Sequence, residues 1–71
     1  MKKVILNGIY QHYKGNMYKV IAFAKHSETL EDMVVYQALY GDMIIWVRPL
    51  SMFVEYIDKD GVNIERFKFI K

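Results

Sequence analysis

The chain has 71 residues, ten basic against eight acidic for a net charge of +2, and no cysteine. A chain of this length forms one domain and buries only about 60% of the surface that it exposes when unfolded, so its core is small. The absence of cysteine excludes disulfides and thiolate metal sites, which often support small cores. A charge of +2 is too weak to indicate nucleic-acid binding by itself.

Charged residues interrupt every hydrophobic stretch, so no apolar run approaches the ~20 residues that a membrane-spanning helix needs. Near the start, Lys2 and Lys3 precede a short apolar run, but Asn7-Gly8 ends that run well before the length of a signal-peptide core. Lack of cysteine is compatible with a reducing compartment. We therefore expect a cytoplasmic protein.

The first predicted element is a β-hairpin. Tyr10 and His12 alternate with their neighbours in Gly8–Tyr13, Lys14–Asn16 supplies turn residues, and Met17–Ala24 reads as the second strand. This second strand places Tyr18, Val20, Ala22 and Ala24 on one face. The alternation then stops at Lys25–Leu30, which we interpret as a polar loop.

The central hairpin is predicted in Glu31–Pro49, with the chain reversing at Gly41-Asp42 in a type II′ turn. Counting outward from this turn gives the register. It pairs Leu39 with Ile44, Gln37 with Trp46, Tyr36 with Val47 and Val35 with Arg48. The face predicted to lie in the core carries Val34, Tyr36, Ala38, Tyr40, Met43, Ile45 and Val47. The face predicted to meet solvent or a ligand carries Val35, Gln37, Leu39, Ile44, Trp46 and Arg48.

The last third of the chain predicts one more hairpin. Pro49 lacks a backbone donor, so it ends a strand or marks a sheet edge, and Leu50–Phe53 fits a short 3₁₀ turn. Asp60-Gly61 predicts a type I′ turn between strands at Phe53–Asp58 and Val62–Ile70. In that register Glu55 lies opposite Arg66 as an ion pair.

The sequence shows no long helical pattern, internal repeat or linker. We therefore predict a single small β domain over residues 1–71. Five or six short strands in so few residues indicate an all-β fold. Its form is either a small SH3-like barrel or a strongly bent antiparallel sheet of five to six strands.

Polar and aromatic residues gather at the hairpin ends, where small β domains place their binding loops. The candidate ligand-binding residues are His12, Tyr13, Lys14, His26, Ser27, Glu28, Thr29, Trp46 and Arg48. Trp46 offers a ring for stacking, and Arg48 offers a guanidinium for a carboxylate or phosphate. In the competing structural interpretation, Trp46 fills the core and Arg48 pairs with an acidic side chain. The candidates for that pair are Glu28, Glu31 and Glu55.

The same polar residues also raise two chemical alternatives. Two histidines with Glu28 are suitable zinc ligands, but their spacing matches no metal motif, so we expect neither a metal nor a cofactor. His26, Ser27 and Glu28 are the residue types of a hydrolase triad. Adjacent residues do not generally converge as nucleophile, base and orienting group, so an enzyme is not the favoured interpretation.

Several segments together resemble a known bacterial family. They are Gly8-x-Tyr10-x-His12-Tyr13-Lys14-Gly15-Asn16-x-Tyr18, His26-Ser27-Glu28-Thr29-Leu30-Glu31, Val34-Val35-Tyr36-x-x-Leu39-Tyr40-Gly41, Trp46-Val47-Arg48-Pro49 and Met52-Phe53. The chain resembles the domain-of-unknown-function family sixteen fifty-three over nearly its whole length. The resemblance implies a stand-alone bacterial cytosolic domain, and it carries no activity, cofactor or catalytic residue with it.

We expect a non-enzymatic binding module for a small anionic ligand or a carboxylate-bearing peptide, met by Arg48 and Lys14. The two polar loops, His12–Asn16 and His26–Glu31, would flank a groove, and Trp46 and Arg48 would form its floor. Two alternatives stay open: nucleic-acid binding through the lysines and tyrosines, and an assembly role in which the apolar central hairpin packs against another protein or another copy. A hydrolase is the least favoured.

Overall fold

The structure, a computed structural model, describes residues 3–71 and is all-β apart from one helical turn. Its strands are β1 (Ile9–His12), β2 (Met17–Lys25), β3 (Asp32–Ala38), β4 (Ile45–Pro49), β5 (Tyr56–Lys59), β6 (Val62–Glu65) and β7 (Phe67–Phe69), and the helix is α1 (Leu50–Phe53). The main sheet is antiparallel with the order β4-β3-β2-β1-β7, and β5 pairs with β6 in a second sheet. The all-β class is confirmed.

Of the two predicted architectures, the antiparallel sheet describes the molecule and the closed barrel does not. Within residues 3–71 the main sheet is open, with β4 and β7 at its edges. Pro49 ends β4 and α1 leads the chain away, so β5 pairs with β6 instead of extending the main sheet. Arg66 separates β6 from β7. The predicted last strand is therefore two strands, which raises the strand count from five or six to seven.

The first hairpin forms as predicted, with Tyr10 opposite Tyr18. A β-bulge between Val20 and Ala22 then shifts β2 against β3 and places Ala22 opposite Val35. Val35 alternates with buried neighbours in β3, so it belongs to the outer face, and Ala22 shares that face. The predicted row of Tyr18, Val20, Ala22 and Ala24 therefore ends at Val20, because Ala22 lies on the other face.

The central hairpin reverses where it was predicted, but its register is shifted by one residue. The Met43 N–H donates to the Tyr40 carbonyl at 3.0 Å, and Gly41 has a φ of 57°, as a type II′ turn requires. Farther from the turn, the Ala38 N–H bonds to the Ile44 carbonyl at 2.9 Å, which leaves one extra residue, Leu39, on the β3 side.

The shift changes which residues of β4 face the core. Tyr36 lies opposite Trp46, Val35 opposite Val47 and Val34 opposite Arg48. The predicted core residues Val34, Tyr36 and Ala38 are buried, whereas Ile45 and Val47 are each 57% exposed. The prediction of Ile45 and Val47 as core, and of Trp46 and Arg48 as outer-face residues, is wrong because cross-strand partners share a face.

The β5–β6 hairpin has the predicted register, with Lys59 opposite Val62. Asp60 and Gly61 both have positive φ, 53° and 79°, as a type I′ turn requires. The predicted ion pair also forms, since Arg66 Nη2 lies 2.7 Å from Glu55 Oε1. It contributes under about 1 kcal/mol because Glu55 is half-exposed.

Aromatic rings form the centre of the core. The buried cluster consists of Val4, Tyr10, Val20, Val34, Tyr36, Phe53 and Phe67. Phe53, on α1, stacks on Phe67 with ring centroids 4.2 Å apart, and the edges of Tyr10 and Tyr36 pack against this pair. The single turn of α1 thus closes the core over one face of the sheet. No helix within residues 3–71 has the length and apolar character needed to cross a membrane.

Candidate ligand-binding site

The shifted register of the central hairpin places Trp46 and Arg48 on the same side of the sheet as Tyr36. A cavity of about 170 Å³ opens there, and we call it the Arg48 pocket. It is lined by His12, Tyr18, Tyr36, Trp46, Arg48 and Phe67. Its walls are mostly aromatic. Trp46 is 47% exposed, so its ring lies at the surface and is available for stacking.

Two contacts fix the position of Arg48. Its Nε donates to the hydroxyl oxygen of Tyr36 at 3.3 Å, and its guanidinium carbon lies 6.0 Å from the centroid of the Phe67 ring. In the part of the chain that the structure describes, the acid–base pairs are Lys25–Asp32 and Arg66–Glu55, so Arg48 has no carboxylate partner there. Its two terminal nitrogens therefore remain for a planar anion.

This geometry also decides against the structural interpretation of the two residues. Trp46 lies at the rim of the pocket and does not fill the core. Glu55, one of the acids proposed to pair with Arg48, is bound to Arg66. Within residues 3–71, Glu28 and Glu31 form no ion pair with Arg48 either.

His12 is a neutral hydrogen-bond donor in this environment. Its Nδ1 accepts the Lys14 N–H at 3.2 Å, so in the neutral ring the proton sits on Nε2. The pKa of His12 is lowered by burial first, and then by the charges of Arg66, Arg48 and Lys14. Arg66 is paired with Glu55, but a neutral histidine beside Arg48 and Lys14 still leaves the local charge positive, which favours an anionic ligand.

Tyr18 contributes a hydroxyl that stays protonated. Its oxygen lies 2.7 Å from the hydroxyl oxygen of Tyr40. Burial, followed by this hydrogen bond, raises the pKa of Tyr18 to about 12. The pocket therefore carries its positive charge on Arg48, and Tyr18 adds no negative charge at neutral pH.

The size of the Arg48 pocket limits what it can hold. Sites for drug-sized ligands occupy ~300–1,000 Å³, whereas this cavity has about 170 Å³. Such a volume suits one functional group, such as a carboxylate with a short apolar or flat stem. A larger ligand would have to extend out of the pocket along the surface.

A second, larger cleft of about 450 Å³ lies between the first hairpin and the β5–β6 hairpin. Its walls are Gln11, His12, Tyr13, Gly15, Tyr56, Asn63, Ile64, Glu65 and Lys68. It has one basic and one acidic side chain, Lys68 and Glu65, so its charge favours neither sign of ligand.

The structure brings together only part of the predicted site. Of the nine candidate residues, His12, Trp46 and Arg48 line the Arg48 pocket. Tyr13 faces the larger cleft, and the ammonium of Lys14 lies 5.8 Å from the centroid of the Tyr13 ring. The remaining four, at residues 26–29, belong to the loop between β2 and β3.

That loop lies at the other end of β2 from the His12 turn. Nine strand residues separate the two ends by about 25 Å. The Nδ1 of His26 accepts the N–H groups of Glu28 and Thr29 at 3.1 and 3.3 Å, so its lone pair is used inside the loop. His26 thus closes a turn, and within residues 3–71 no ion pair or hydrogen bond joins it to a carboxylate that could orient it as in a triad. Among residues 3–71 no three His, Asp or Glu side chains lie close enough to hold a metal.

Sequence reasoning missed three residues of the pocket, Tyr18, Tyr36 and Phe67. The alternation assigned Tyr36 to the core-facing side of its strand, whereas it placed Tyr18 in a row with Val20 and gave that row no direction. The correct register of β4 would have placed Tyr36 beside Trp46. Nothing in the sequence indicated that Phe67 lines the pocket, because its position depends on the break that separates β6 from β7.

Comparison with known proteins supports the resemblance. The model of the family described as "Protein of unknown function (DUF1653)" matches residues 8–69. Among solved structures, a DUF1653 protein from Bordetella bronchiseptica is similar, with a TM-score of 0.82 and 32% identity over 93% of this chain and 87% of that chain. No curated protein matches. Since the family model spans nearly the whole chain and includes His12, Trp46 and Arg48, the chain belongs to the DUF1653 family.

Proposed function

We propose that this protein is a non-enzymatic binding module whose Arg48 pocket holds the carboxylate of a small anionic ligand or peptide. The observation that carries the proposal is the placement of Arg48. Its guanidinium is positioned by Tyr36 and Phe67 and, within residues 3–71, has no acidic partner. A cation held in one geometry loses little side-chain entropy when an anion arrives, so it is preorganised for binding.

The surroundings of Arg48 favour a carboxylate that is attached to an apolar or flat group. Phe67 and Tyr36 supply aromatic walls, and Trp46 at the rim supplies a stacking surface. His12 adds a neutral N–H donor. An organic carboxylate can use the guanidinium, the N–H donor and the aromatic rings together. A simple inorganic ion makes no contact with the rings, so the pocket favours the organic carboxylate.

The nucleic-acid alternative has less support from these positions. Tyr10 is only 4% exposed and lies in the core cluster, so its ring is not available to stack on a base. Lys25, one of the lysines invoked for it, pairs with Asp32. We place the protein in the bacterial cytoplasm, in keeping with its lack of cysteine.

Benzoate and benzamide, a pair that differs in charge and not in shape, test the proposal. In an NMR titration we expect benzoate to shift the signals of His12, Trp46 and Arg48, with benzamide binding at least about tenfold more weakly. Arg48→Met should weaken benzoate binding by at least about tenfold, because a charge-assisted hydrogen bond contributes about 1.5–3 kcal/mol.

Lys19→Met is the matched control, since it removes the same charge from the outer face of β2. Lys19 lies opposite Gln37, which alternates with buried residues in β3. Benzoate affinity should be nearly unchanged in this variant. Equal weakening by Lys19→Met and Arg48→Met would show a general charge effect, and equal binding of benzamide and benzoate would show that Arg48 does not select a carboxylate. Either result contradicts the proposal.

A further inference from the structure

We infer that β4 binds an extended acidic peptide as an added strand, with the peptide's Glu or Asp side chain entering the Arg48 pocket. The inference rests on the proposed function and names the class of ligand. It starts from the fact that Trp46 and Arg48, two walls of the pocket, belong to an edge strand. A ligand that extends out of the small pocket meets β4 first.

The backbone of β4 has unused hydrogen-bonding groups at this edge. The Ala38 N–H bonds to the Ile44 carbonyl, and Tyr36 lies opposite Trp46. Because hydrogen-bonded pairs alternate in an antiparallel ladder, Trp46 and Arg48 are the β4 residues whose backbone groups bond to β3. The residues between them, Ile45 and Val47, direct their N–H and C=O groups to the open side. Within residues 3–71 no strand covers that side. An extended peptide can therefore complete the ladder.

The first three side chains of β4, Ile45–Val47, lack the features that usually protect an edge. Natural edge strands carry charged side chains or bulges that discourage pairing with another chain. In β4 the three consecutive apolar residues Ile45, Trp46 and Val47 are 57%, 47% and 57% exposed. Pro49 removes a donor only at the end of the strand. An apolar, unprotected edge beside a binding pocket is typical of a surface that another strand covers.

Charge decides in favour of an acidic peptide over a second copy of the chain. Within residues 3–71 Arg48 has no carboxylate partner, and Lys14 adds a second positive charge near His12. The residues that a second copy would present by pairing β4 with β4, Ile45–Pro49, include no acid. A second copy would therefore leave Arg48 unpaired, whereas an acidic peptide supplies the missing charge.

The pleat of the sheet fixes the pattern that the peptide must have. Directly opposite residues share a face, so the peptide residue opposite Arg48 carries the carboxylate. Residues opposite Ile45 and Val47 lie on the outer face, where apolar side chains gain contact. The expected ligand is thus an extended segment in which an acidic residue is flanked at alternating positions by apolar residues.

The probe is the capped peptide Ser-Val-Thr-Val-Glu-Val-Thr-Val-Ser, compared with the same peptide carrying Gln in place of Glu. By NMR titration we expect the Glu peptide to bind at least tenfold more tightly than the Gln peptide. On binding, the amide protons of Ile45 and Val47 should become protected from exchange with solvent. No such protection should appear with benzoate alone.

Val47→Pro and Val47→Thr separate strand addition from side-chain contact. The Val47 N–H points to the open edge, so proline removes this donor without breaking a bond to β3. Threonine keeps the donor and has a similar shape. We expect Val47→Pro to bind the Glu peptide at least tenfold more weakly than Val47→Thr, while both variants bind benzoate like the original chain.

Each outcome of these experiments bears on the inference. Equal binding of the Glu peptide by Val47→Pro and Val47→Thr would overturn strand addition. Failure of the peptide to bind, while benzoate still binds, would overturn the inference and leave the proposed function standing, whereas failure of both would overturn both. Concentration-dependent protection of the Ile45 and Val47 amides without peptide would show that a second copy occupies the edge, which also overturns it.

Discussion

Replacing Phe53 with Ala is expected to lower the free energy of unfolding by about 3–5 kcal/mol, the usual cost of truncating a buried phenylalanine. Phe53 is only 1% exposed and stacks on Phe67 with an interplanar angle of 5°. Its ring also contacts the edges of Tyr10 and Tyr36. Since total stability for such small domains is ~5–10 kcal/mol, the loss is a large share of it.

Urea denaturation followed by circular dichroism measures this loss, and Met52→Ala is the matched control. Met52 lies on the same turn of α1 but is 41% exposed. We expect this control to change the free energy of unfolding by under about 1 kcal/mol. A Phe53→Ala protein as stable as Met52→Ala would show that α1 does not close the core.

Gly8→Ala is expected to lower the free energy of unfolding by about 1–3 kcal/mol, because a methyl group has no room there. A Cβ at Gly8 would lie 2.9 Å from the carbonyl oxygen of Ile5. It would also lie 3.0 Å from Cε1 of Phe69 and 3.1 Å from Cε1 of Tyr10. The backbone oxygen cannot move away as a flexible side chain can, so the chain before β1 must shift. Thermal or urea unfolding measures the change.

A double-mutant cycle identifies the cause of this effect. Combining Gly8→Ala with Phe69→Leu relieves one of the three close contacts, so the two effects should not add. Gly15→Ala is the comparison, since a Cβ there meets nothing within 4 Å and its cost comes from a φ of +109°. Its effect should add to that of Phe69→Leu. Additive behaviour at Gly8 as well would contradict the crowding argument.

The turns of this fold could be predicted because each depends on a few neighbouring residues. Asp60-Gly61 specified both the turn type and the register of the β5–β6 hairpin, including the Glu55–Arg66 pair. Gly41-Asp42 specified the place of reversal equally well. These turns need residues with a positive φ, and glycine, asparagine and aspartate adopt it most easily. Such turns can therefore be recognised from the sequence.

The register of the central hairpin could not be predicted, because it depends on a bulge. One extra residue at Leu39 shifts β4 against β3, and apolar residues on both faces of β4 give no pattern that would reveal the shift. The structure shows one compensation, a hydrogen bond of 3.1 Å from the Gln37 side-chain amide to the Met43 carbonyl. Whether the sheet closes into a barrel could not be predicted either, since closure depends on which distant strands pair.

The candidate site was predictable in its chemistry and not in its geometry. His12, Trp46 and Arg48 were chosen for their side chains, and the structure brings them to one pocket. The loop that contains His26 was chosen for similar side chains, but it closes on its own backbone. Residue type indicates what a side chain can bind, whereas the fold decides which side chains meet.

The pairing of β3 with β4 determines whether Trp46 and Arg48 lie on the pocket side of the sheet, and NMR measures that pairing directly. In an NMR spectrum, non-hydrogen-bonded pairs of antiparallel strands bring their Hα atoms close together, with Cα atoms about 4.5 Å apart. We expect Hα–Hα contacts between Gln37 and Ile45 and between Val35 and Val47. Contacts of Gln37 with Trp46, or of Tyr36 with Val47, would instead place Arg48 on the other face and rule out its position in the pocket.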